Sequence, residues 1–210
     1  MSAVAIVGAS PIGDSPPRTT EESIRHFQGD AICFLAGPAA GRRCRQGSAP
    51  GWRRYRTWDE VRAHHEVGHA LAGHFCGRFI WELSIIEDRT VHLQKTGYAA
   101  GHTWIGLTPE PPAEHPRRER AETDFRLAAQ ACRVLTLVEP PVDWRGALRI
   151  AHRMRAQARA LIDGHWPLVM ALAEELLRQR ELNQSQIARF LKPESRGAYW
   201  RNRDNQGGGV

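Results

Sequence analysis

Apolar residues recur every three or four positions along most of the chain, and this spacing predicts a mainly helical fold. The longest regular stripe runs from Trp144 to Ile162, and Gly164 is expected to end that helix. Further helical spacing is present at 21–46, 117–138 and 167–180, with a break predicted near Gly37 and Pro38. A last short helix, capped by Asn183, is expected to run to Leu191.

A core helix with clear start and stop signals is predicted from residue 57 to about Cys76. The hydroxyl of Thr57 and the carboxylate of Glu60 form a capping box, and Gly77 supplies a stop. Short apolar runs at 83–86 and 98–107 predict two or three strands. We therefore expect an α+β fold that is mainly α, with a small sheet or hairpin beside the core helix.

The pattern divides the chain into four segments. Residues 1–20 are rich in Gly, Pro, Ser and Thr, which predicts a flexible leader without a secretory signal. A helical and basic segment follows at 21–56, and the main domain spans 57–191. The polar segment 192–210, which ends in three glycines, is expected to be a disordered tail.

The composition excludes several classes of protein. With 210 residues, of which 41% are hydrophobic and 25% charged, the chain is typical of a globular protein rather than a disordered one. No apolar run reaches the ~20 residues of a membrane-spanning helix, so no membrane insertion and a cytoplasmic location are expected. The four cysteines form no C-x-x-C pair, which favours buried free thiols.

The formal net charge is +6, and one cluster of arginines contributes to it. Six arginines lie within 42–56, together with Trp52, Tyr55 and Trp58. Arginines interleaved with aromatic residues can hold phosphates and stack on bases. Because no nucleic-acid-binding motif accompanies them, a solvated basic loop is the favoured interpretation and a nucleic-acid partner is disfavoured.

The main candidate for chemistry is the H-E-x-x-H motif formed by His65, Glu66 and His69. Residues i and i+4 lie on one face of a helix, so both imidazoles can reach one Zn²⁺ ion. Glu66 points about 100° away around the helix, where it can act as the general base for a water activated by the metal. Gly68, within the motif, predicts close packing or access near the metal.

A catalytic zinc needs a third protein ligand and an open position. A histidine six residues after His69 would complete an extended motif, but His74 arrives one residue early. Glu82 and Glu87 are downstream candidates. Asp143 is another, because it precedes a long helix whose N-terminus would stabilise a carboxylate.

The motif and its surroundings resemble the peptidase domain of the FtsH-type membrane-anchored AAA proteases. The family's H-E-A-G-H-A string is similar to residues 65–70, and its strand elements are similar to 83–86 and 97–104. Its aspartate-led helix is similar in spacing to residues 142–151, and its C-terminal helices to 160–177. Over about residues 57–191, the resemblance implies a helical, zincin-like metallopeptidase domain. It implies zinc held by His65, His69 and Asp143, with Glu66 as general base.

The sequence also departs from that family. It contains no Walker phosphate loop and no transmembrane anchor. The family's small-residue element "lAGraAE" is degraded at Leu127–Cys132, whereas a better copy at Leu35–Ala40 precedes the zinc helix. Asp59 follows that copy and is a weaker rival to Asp143, because it lies on the same helix as His65 but out of phase with it.

Two functional hypotheses follow. The first is a stand-alone zinc metallopeptidase that cuts flexible or unfolded polypeptide, alone, as a homo-oligomer or with a separate ATPase that unfolds substrates. The second is a catalytically inactive, metal-containing or basic module that contacts nucleic acid or a protein partner through the arginine-rich segment. The presence of Glu66 beside the two histidines favours the enzyme, since a structural metal site needs no base.

Overall fold

The computed structural model describes residues 3–7, 20–46, 57–86, 102–106, 109–110, 124–138 and 144–207. Most of these residues are helical, as the sequence predicts. The long helices are α1 (Thr20–Gln46), α2 (Trp58–Phe75), α3 (Asp124–Val138), α4 (Trp144–Gly164) and α5 (Trp166–Gln179). The strands are β1 (Ala3–Val7), β2 (Phe79–Ser84), β3 (His102–Gly106) and β4 (Glu181–Asn183). The C-terminal part adds α6 (Gln184–Ile187), a 3₁₀ turn (Pro193–Ser195) and α7 (Ala198–Gly207).

The four described strands form one sheet in the order β1-β3-β2-β4. Strand β3 lies between β1, with which it is parallel, and β2, with which it is antiparallel. Strand β4 extends the other side of β2, also antiparallel. Thr103 in β3 faces Val4 on one side and Leu83 on the other, so it occupies an inner position of the sheet.

Helix α2 lies at the centre of the fold. It packs against α1, α5, β2 and β3, and α1 also contacts α3 and α4. The shared core is built from aliphatic side chains of all these elements, including Ile32, Leu71, Leu83, Leu135 and Leu172, each fully or almost fully buried. Placing α2 here buries most of its surface, so the polar side chains of the H-E-x-x-H motif face protein rather than solvent.

The predicted ends of α2 are confirmed. Thr57 accepts a hydrogen bond from the backbone N–H of Glu60, and the Glu60 carboxylate accepts one from the backbone N–H of Thr57. At the other end Gly77 adopts φ +96°, a conformation that side-chain-bearing residues rarely adopt. These two signals fix the length of the helix and the turn that leads into β2.

Helix α1 corrects the predicted break near Gly37 and Pro38, because it continues through both residues to Gln46. Pro38 cannot donate its backbone hydrogen bond, but α1 packs on α2, α3 and α4 over most of its length. Tertiary packing therefore outweighs the local penalty. The small residues of Leu35–Ala40 lie in the middle of this helix.

Two terminal segments are more structured than the sequence suggests. Within the leader, Ala3–Val7 form β1 by pairing with β3. Within the expected disordered tail, α7 is held by Trp200, whose indole N–H donates to the carbonyl of Cys76 at 3.1 Å. Both segments obtain their order from partners distant in sequence, which composition alone does not reveal.

The Asn183 cap is confirmed as a capping box with Gln186, although α6 ends at Ile187 rather than Leu191. All four cysteines are buried thiols outside any disulfide, as predicted. None of the helices in the described part of the chain has both the length and the apolar character needed to cross a bilayer.

Candidate metal centre

His65 and His69 lie one turn apart on α2, and their side chains converge. The two Nε2 atoms are 3.0 Å apart, and the rings meet edge to face. His69 has no solvent exposure, and the side chain of His65 is only 16% exposed. The pairing predicted from the i, i+4 spacing is therefore present in the structure.

Asp124, the first residue of α3, brings a carboxylate to this pair. Its Oδ2 atom is 2.9 Å from Nε2 of His65, and its Oδ1 atom is 3.5 Å from Nε2 of His69. The position at a helix N-terminus favours the ionised carboxylate. Within the part of the chain that the structure describes, these three residues form a group whose ligand atoms lie within 4.8 Å of one another.

The spacing of these atoms fits a metal ion. Around a tetrahedral zinc with bonds of ~2.0–2.1 Å, neighbouring ligand atoms are about 3.3 Å apart. The observed separations of 2.9, 3.0 and 3.5 Å lie close to that value. In addition, Oδ1 of Asp124 is buried and has no hydrogen-bond partner among the described residues, an arrangement that a cation would relieve. A set of three protein ligands is also the number that catalytic zinc sites use.

The second nitrogen of His69 is already engaged, which orients the ring. Its Nδ1 lies 2.8 Å from the backbone carbonyl of Cys33 in α1. Since a carbonyl only accepts, Nδ1 carries a proton and donates it, so Nε2 is the ring nitrogen that faces His65 and Asp124. A second hydrogen bond of this kind is typical of metal-binding histidines.

The electrostatics of the cluster favour positive charge. Burial lowers the pKa of His69, but the charge of Asp124 and hydrogen bonds to Asp124 and Cys33 outweigh burial and hold that pKa well above its usual value. Burial raises the pKa of Asp124, but the neighbouring charge of His69 and the hydrogen bond from His65 hold it well below its usual range. Positive charge beside the buried carboxylate thus stabilises it, and either a protonated imidazole or a metal ion can supply that charge.

Glu66 lies next to the pair along the chain and is fully buried. The hydroxyl of Thr103 in β3 lies 2.7 Å from its Oε2 atom, within donating distance. The other oxygen, Oε1, is buried and has no hydrogen-bond partner in the described part of the chain. The sheet thus positions one oxygen of the carboxylate, and the second oxygen is not engaged by the described residues.

Two glycines allow α1 to approach the histidines. A Cβ atom at Gly37 would lie 2.2 Å from Nε2 of His69, so no side chain fits there. A Cβ atom at Gly68 would lie 2.7 Å from the carbonyl oxygen of Ala36, so the backbones of α1 and α2 are in close contact at this point. The close packing predicted at Gly68 is confirmed, and Leu35–Ala40 forms its α1 side.

The other carboxylates considered for the third ligand fall into two groups. Asp143 and Glu87 lie outside the described residues. Glu82 lies on β2, paired in register with Trp104 and Asn183, and is not in the metal-ligating group. Asp59 also lies outside that group, where it forms ion pairs with Arg180 at 2.5 Å and Arg62 at 3.5 Å.

Asp124 is the site residue that the sequence analysis missed. A signal for it is nevertheless present, because Asp124 and Ala128 repeat the D-x-x-x-A spacing of Asp143 and Ala147. The sequence predicts that Asp143 precedes a helix, whereas Asp124 lies inside the helix predicted at 117–138. The spacing alone does not distinguish the two, whereas the position of α3 against α1 brings Asp124 to the histidines.

The remaining histidines of α2 face away from the cluster. Nδ1 of His64 is 2.7 Å from the carbonyl of Glu60, and its ring stacks on Trp166 of α5. Nε2 of His74 is 2.8 Å from the hydroxyl of Ser195. The prediction that neither joins the His65–His69 pair is confirmed.

Two of the described arginines of the basic segment are engaged within the protein. Arg43 forms an ion pair with Asp163 and lies over the ring of Trp166 at 4.4 Å. Arg45 lies over the ring of Trp58 at 5.3 Å. These contacts give both side chains a structural role, and Arg53, Arg54 and Arg56 lie outside the described residues.

Comparison with known proteins adds no family to this description. No family model, no curated protein and no solved structure matches the chain. The resemblance to the FtsH-type peptidases therefore stays a prediction, and the case for a function depends on the geometry of the cluster.

Proposed function

We propose that the chain is a zinc-dependent metallopeptidase of zincin-like architecture, with His65, His69 and Asp124 as metal ligands. The observation that carries this proposal is the convergence of two Nε2 atoms and one carboxylate at 2.9–3.5 Å inside the core. Groups of this kind are rarely buried together unless a cation joins them. Histidine nitrogens with one carboxylate are a ligand set that zinc favours, and zinc supplies Lewis acidity and a nucleophilic water at neutral pH.

The residues around the ligands fit hydrolysis better than a purely structural role. Glu66 holds one oxygen against Thr103 and leaves Oε1 to take a proton from water and return it to the leaving amine. Its exclusion from solvent strengthens its electrostatic interactions with reacting groups. A structural site, in contrast, uses four protein ligands and needs no base.

The substrate class follows from the burial of the site. His69 has no solvent exposure, and the side chain of His65 is only 16% exposed. The substrate is a flexible or unfolded segment of polypeptide, reached by the enzyme alone or delivered by a separate unfoldase, because the surface of a folded protein does not reach ligands at this depth.

The metal ligands are tested by measuring zinc per chain in purified protein. We expect about one zinc in the parent and its loss in Asp124→Ala. Asp59→Ala and Asp143→Ala are the matched controls, each removing an aspartate at or near the start of a helix, and both should keep zinc. Zinc kept in Asp124→Ala but lost in Asp143→Ala would move the third ligand to Asp143. No zinc in the parent, even after reconstitution, would refute the metal site.

The reaction is tested with Glu66→Gln on an unfolded, fluorescently labelled protein substrate. Because general bases contribute about 10²–10⁴-fold, we expect cleavage to fall by that factor while zinc stays bound. Full activity in zinc-loaded Glu66→Gln would rule out the assigned role of Glu66. No cleavage by the zinc-loaded parent of any unfolded substrate would refute the peptidase proposal and leave the metal structural.

A further inference from the structure

Strand β1 covers the edge of the sheet that lies nearest to the candidate base. In the order β1-β3-β2-β4, β3 is enclosed by β2 on one side and by β1 on the other. Val4 of β1 is in register with Thr103, the residue whose hydroxyl contacts the carboxylate of Glu66. The backbone of the N-terminal segment therefore runs directly beside the residue that positions the base.

Without β1, the backbone groups of β3 would be open to another strand. An extended polypeptide can add to such an edge through main-chain hydrogen bonds, which give affinity with little dependence on sequence. The outer side of β4 is farther away, because two strands at about 4.8 Å spacing separate it from β3. Among the described strands, the edge of β3 is thus the place where an unfolded polypeptide could pair beside Glu66.

The segment that occupies this edge is suited to strand pairing. It reads Ala-Val-Ala-Ile-Val, without charge, glycine or proline, and all five residues pair in register with His102–Gly106. It is also one of the two edge strands of the described sheet, with a paired neighbour on one side alone. Strands held at one edge open at lower free-energy cost than strands inside a sheet.

We propose that β1 is an autoinhibitory strand that occupies the peptide-binding edge of β3, and that an extended substrate segment binds there when β1 is displaced. The inference rests on the proposed function, since it assigns the substrate edge of the same site. The chain then regulates access to its own metal centre, and the apparent affinity for substrate is reduced by the fraction of molecules with β1 seated.

Two proline variants of the full-length chain test the pairing. Adjacent residues of a parallel strand direct their N–H groups to opposite sides, so either Val4 or Ala5 donates to β3 and the other does not. Val4→Pro and Ala5→Pro are therefore a matched pair. Each variant adds one proline to β1, but only one of the two variants removes a hydrogen bond between β1 and β3. If β1 is seated in nine molecules of ten, releasing it raises kcat/KM for an unfolded substrate about 10-fold.

We expect this increase in one of the two proline variants and less than a twofold change in the other, with zinc content equal in both. Equal activity of both variants and the parent would overturn the inference, and so would an equal gain in both. In either case the peptidase proposal would stand, since the parent would still cleave.

A binding measurement separates the inference from activity. In the Glu66→Gln background, a fluorescein-labelled peptide of residues 1–8 is titrated into each proline variant and followed by fluorescence anisotropy. The variant that releases β1 should bind the peptide about 10-fold more tightly than the chain with intact β1. A peptide carrying the same releasing proline should bind more weakly. If the peptide binds in this pattern but the parent chain with intact Glu66 cleaves no substrate, the binding edge of β3 is supported and the peptidase proposal is refuted. Equal binding of the peptide to all variants would overturn the proposed binding edge.

Discussion

Among the buried histidines of helix α2, His69 and His74 have surroundings that differ in kind. Nε2 of His69 faces another imidazole nitrogen and a carboxylate, and Oδ1 of that carboxylate accepts no hydrogen bond from the residues that the structure describes. Nε2 of His74 faces the hydroxyl of Ser195 at 2.8 Å and the carbonyl of Lys192 at 3.1 Å. Both rings are almost completely buried, so burial does not distinguish them.

The difference lies in whether the polar groups satisfy one another. At His74, the ring N–H donates to the Lys192–Ser195 turn, and the Ser195 hydroxyl donates to the same carbonyl at 2.7 Å. Burial, aided by the charge of Arg196, lowers the pKa of His74 to about 4, so the ring is neutral near pH 7. At His69, another imidazole and a carboxylate converge on one point. His74 therefore joins the C-terminal segment to α2, whereas the groups around His69 are suited to bind a cation.

The largest expected effect comes from filling the space beside His69. In Gly37→Ala the new Cβ atom would lie 2.2 Å from Nε2, so the ring must leave its position. We expect zinc affinity to fall by roughly 100-fold, measured by competition with a chromogenic chelator. Gly164→Ala is the control, because a Cβ atom there meets nothing within 4 Å. Parent-like zinc affinity in Gly37→Ala would show that His69 is not a ligand.

The next effect concerns Thr103, whose hydroxyl contacts the candidate base Glu66. In the described part of the chain, this hydroxyl makes no hydrogen bond to His65, His69 or Asp124. Thr103→Val removes the hydroxyl 2.7 Å from Oε2 of Glu66 while keeping the shape of the side chain. We expect kcat to fall about 10–100-fold with zinc content unchanged, since partners that orient functional groups have effects of this size. Thr136→Val on α3, whose hydroxyl donates to the carbonyl of Arg133, controls for loss of a threonine hydroxyl. An unchanged kcat in Thr103→Val would remove Thr103 from the site.

The lowered pKa of His74 predicts that the stability of the folded chain depends on pH. The unfolded chain binds a proton at His74 below about pH 6.5, whereas the folded chain, with a pKa of about 4, does not. Stability from this residue is therefore complete above pH 6.5 and is lost as the pH falls toward 4. At pH 5 the loss is about 2 kcal/mol relative to pH 7.

His74→Gln isolates this contribution, because glutamine can still donate to the Lys192 carbonyl but does not titrate. Urea unfolding of both proteins at pH 7 and pH 5 gives the comparison. We expect the variant to lose about 2 kcal/mol less than the parent over that interval and to bind zinc equally at pH 7. The same pH dependence in both proteins would contradict a neutral, buried His74.

The sequence predicts features that depend on neighbours along the chain. The capping box of α2, the pairing of His65 with His69 and the exclusion of His64 all follow from helical periodicity, and the structure confirms each. The choice of third ligand depends on how helices pack. Asp124 and Asp143 have the same local pattern, so the sequence does not distinguish them, and the structure brings Asp124 to the histidines. Likewise, β1 and α7 are ordered by contacts with residues distant in sequence, Thr103 and Cys76 among them.

The smallest expected effect separates the contacts that hold α7 beside His74. Trp200 is half-buried and donates to Cys76, whereas Asp204 pairs with Arg25 at 3.0 Å on the surface. Because exposed ion pairs are screened and ordering them costs entropy, Asp204→Asn should change the unfolding free energy by less than about 0.5 kcal/mol. Trp200→Ala should cost about 2 kcal/mol, from lost burial and one hydrogen bond. Thermal unfolding at low and high salt checks both values. A larger loss in Asp204→Asn than in Trp200→Ala would mean that surface charge, rather than packing against the end of α2, fixes the C-terminal helix.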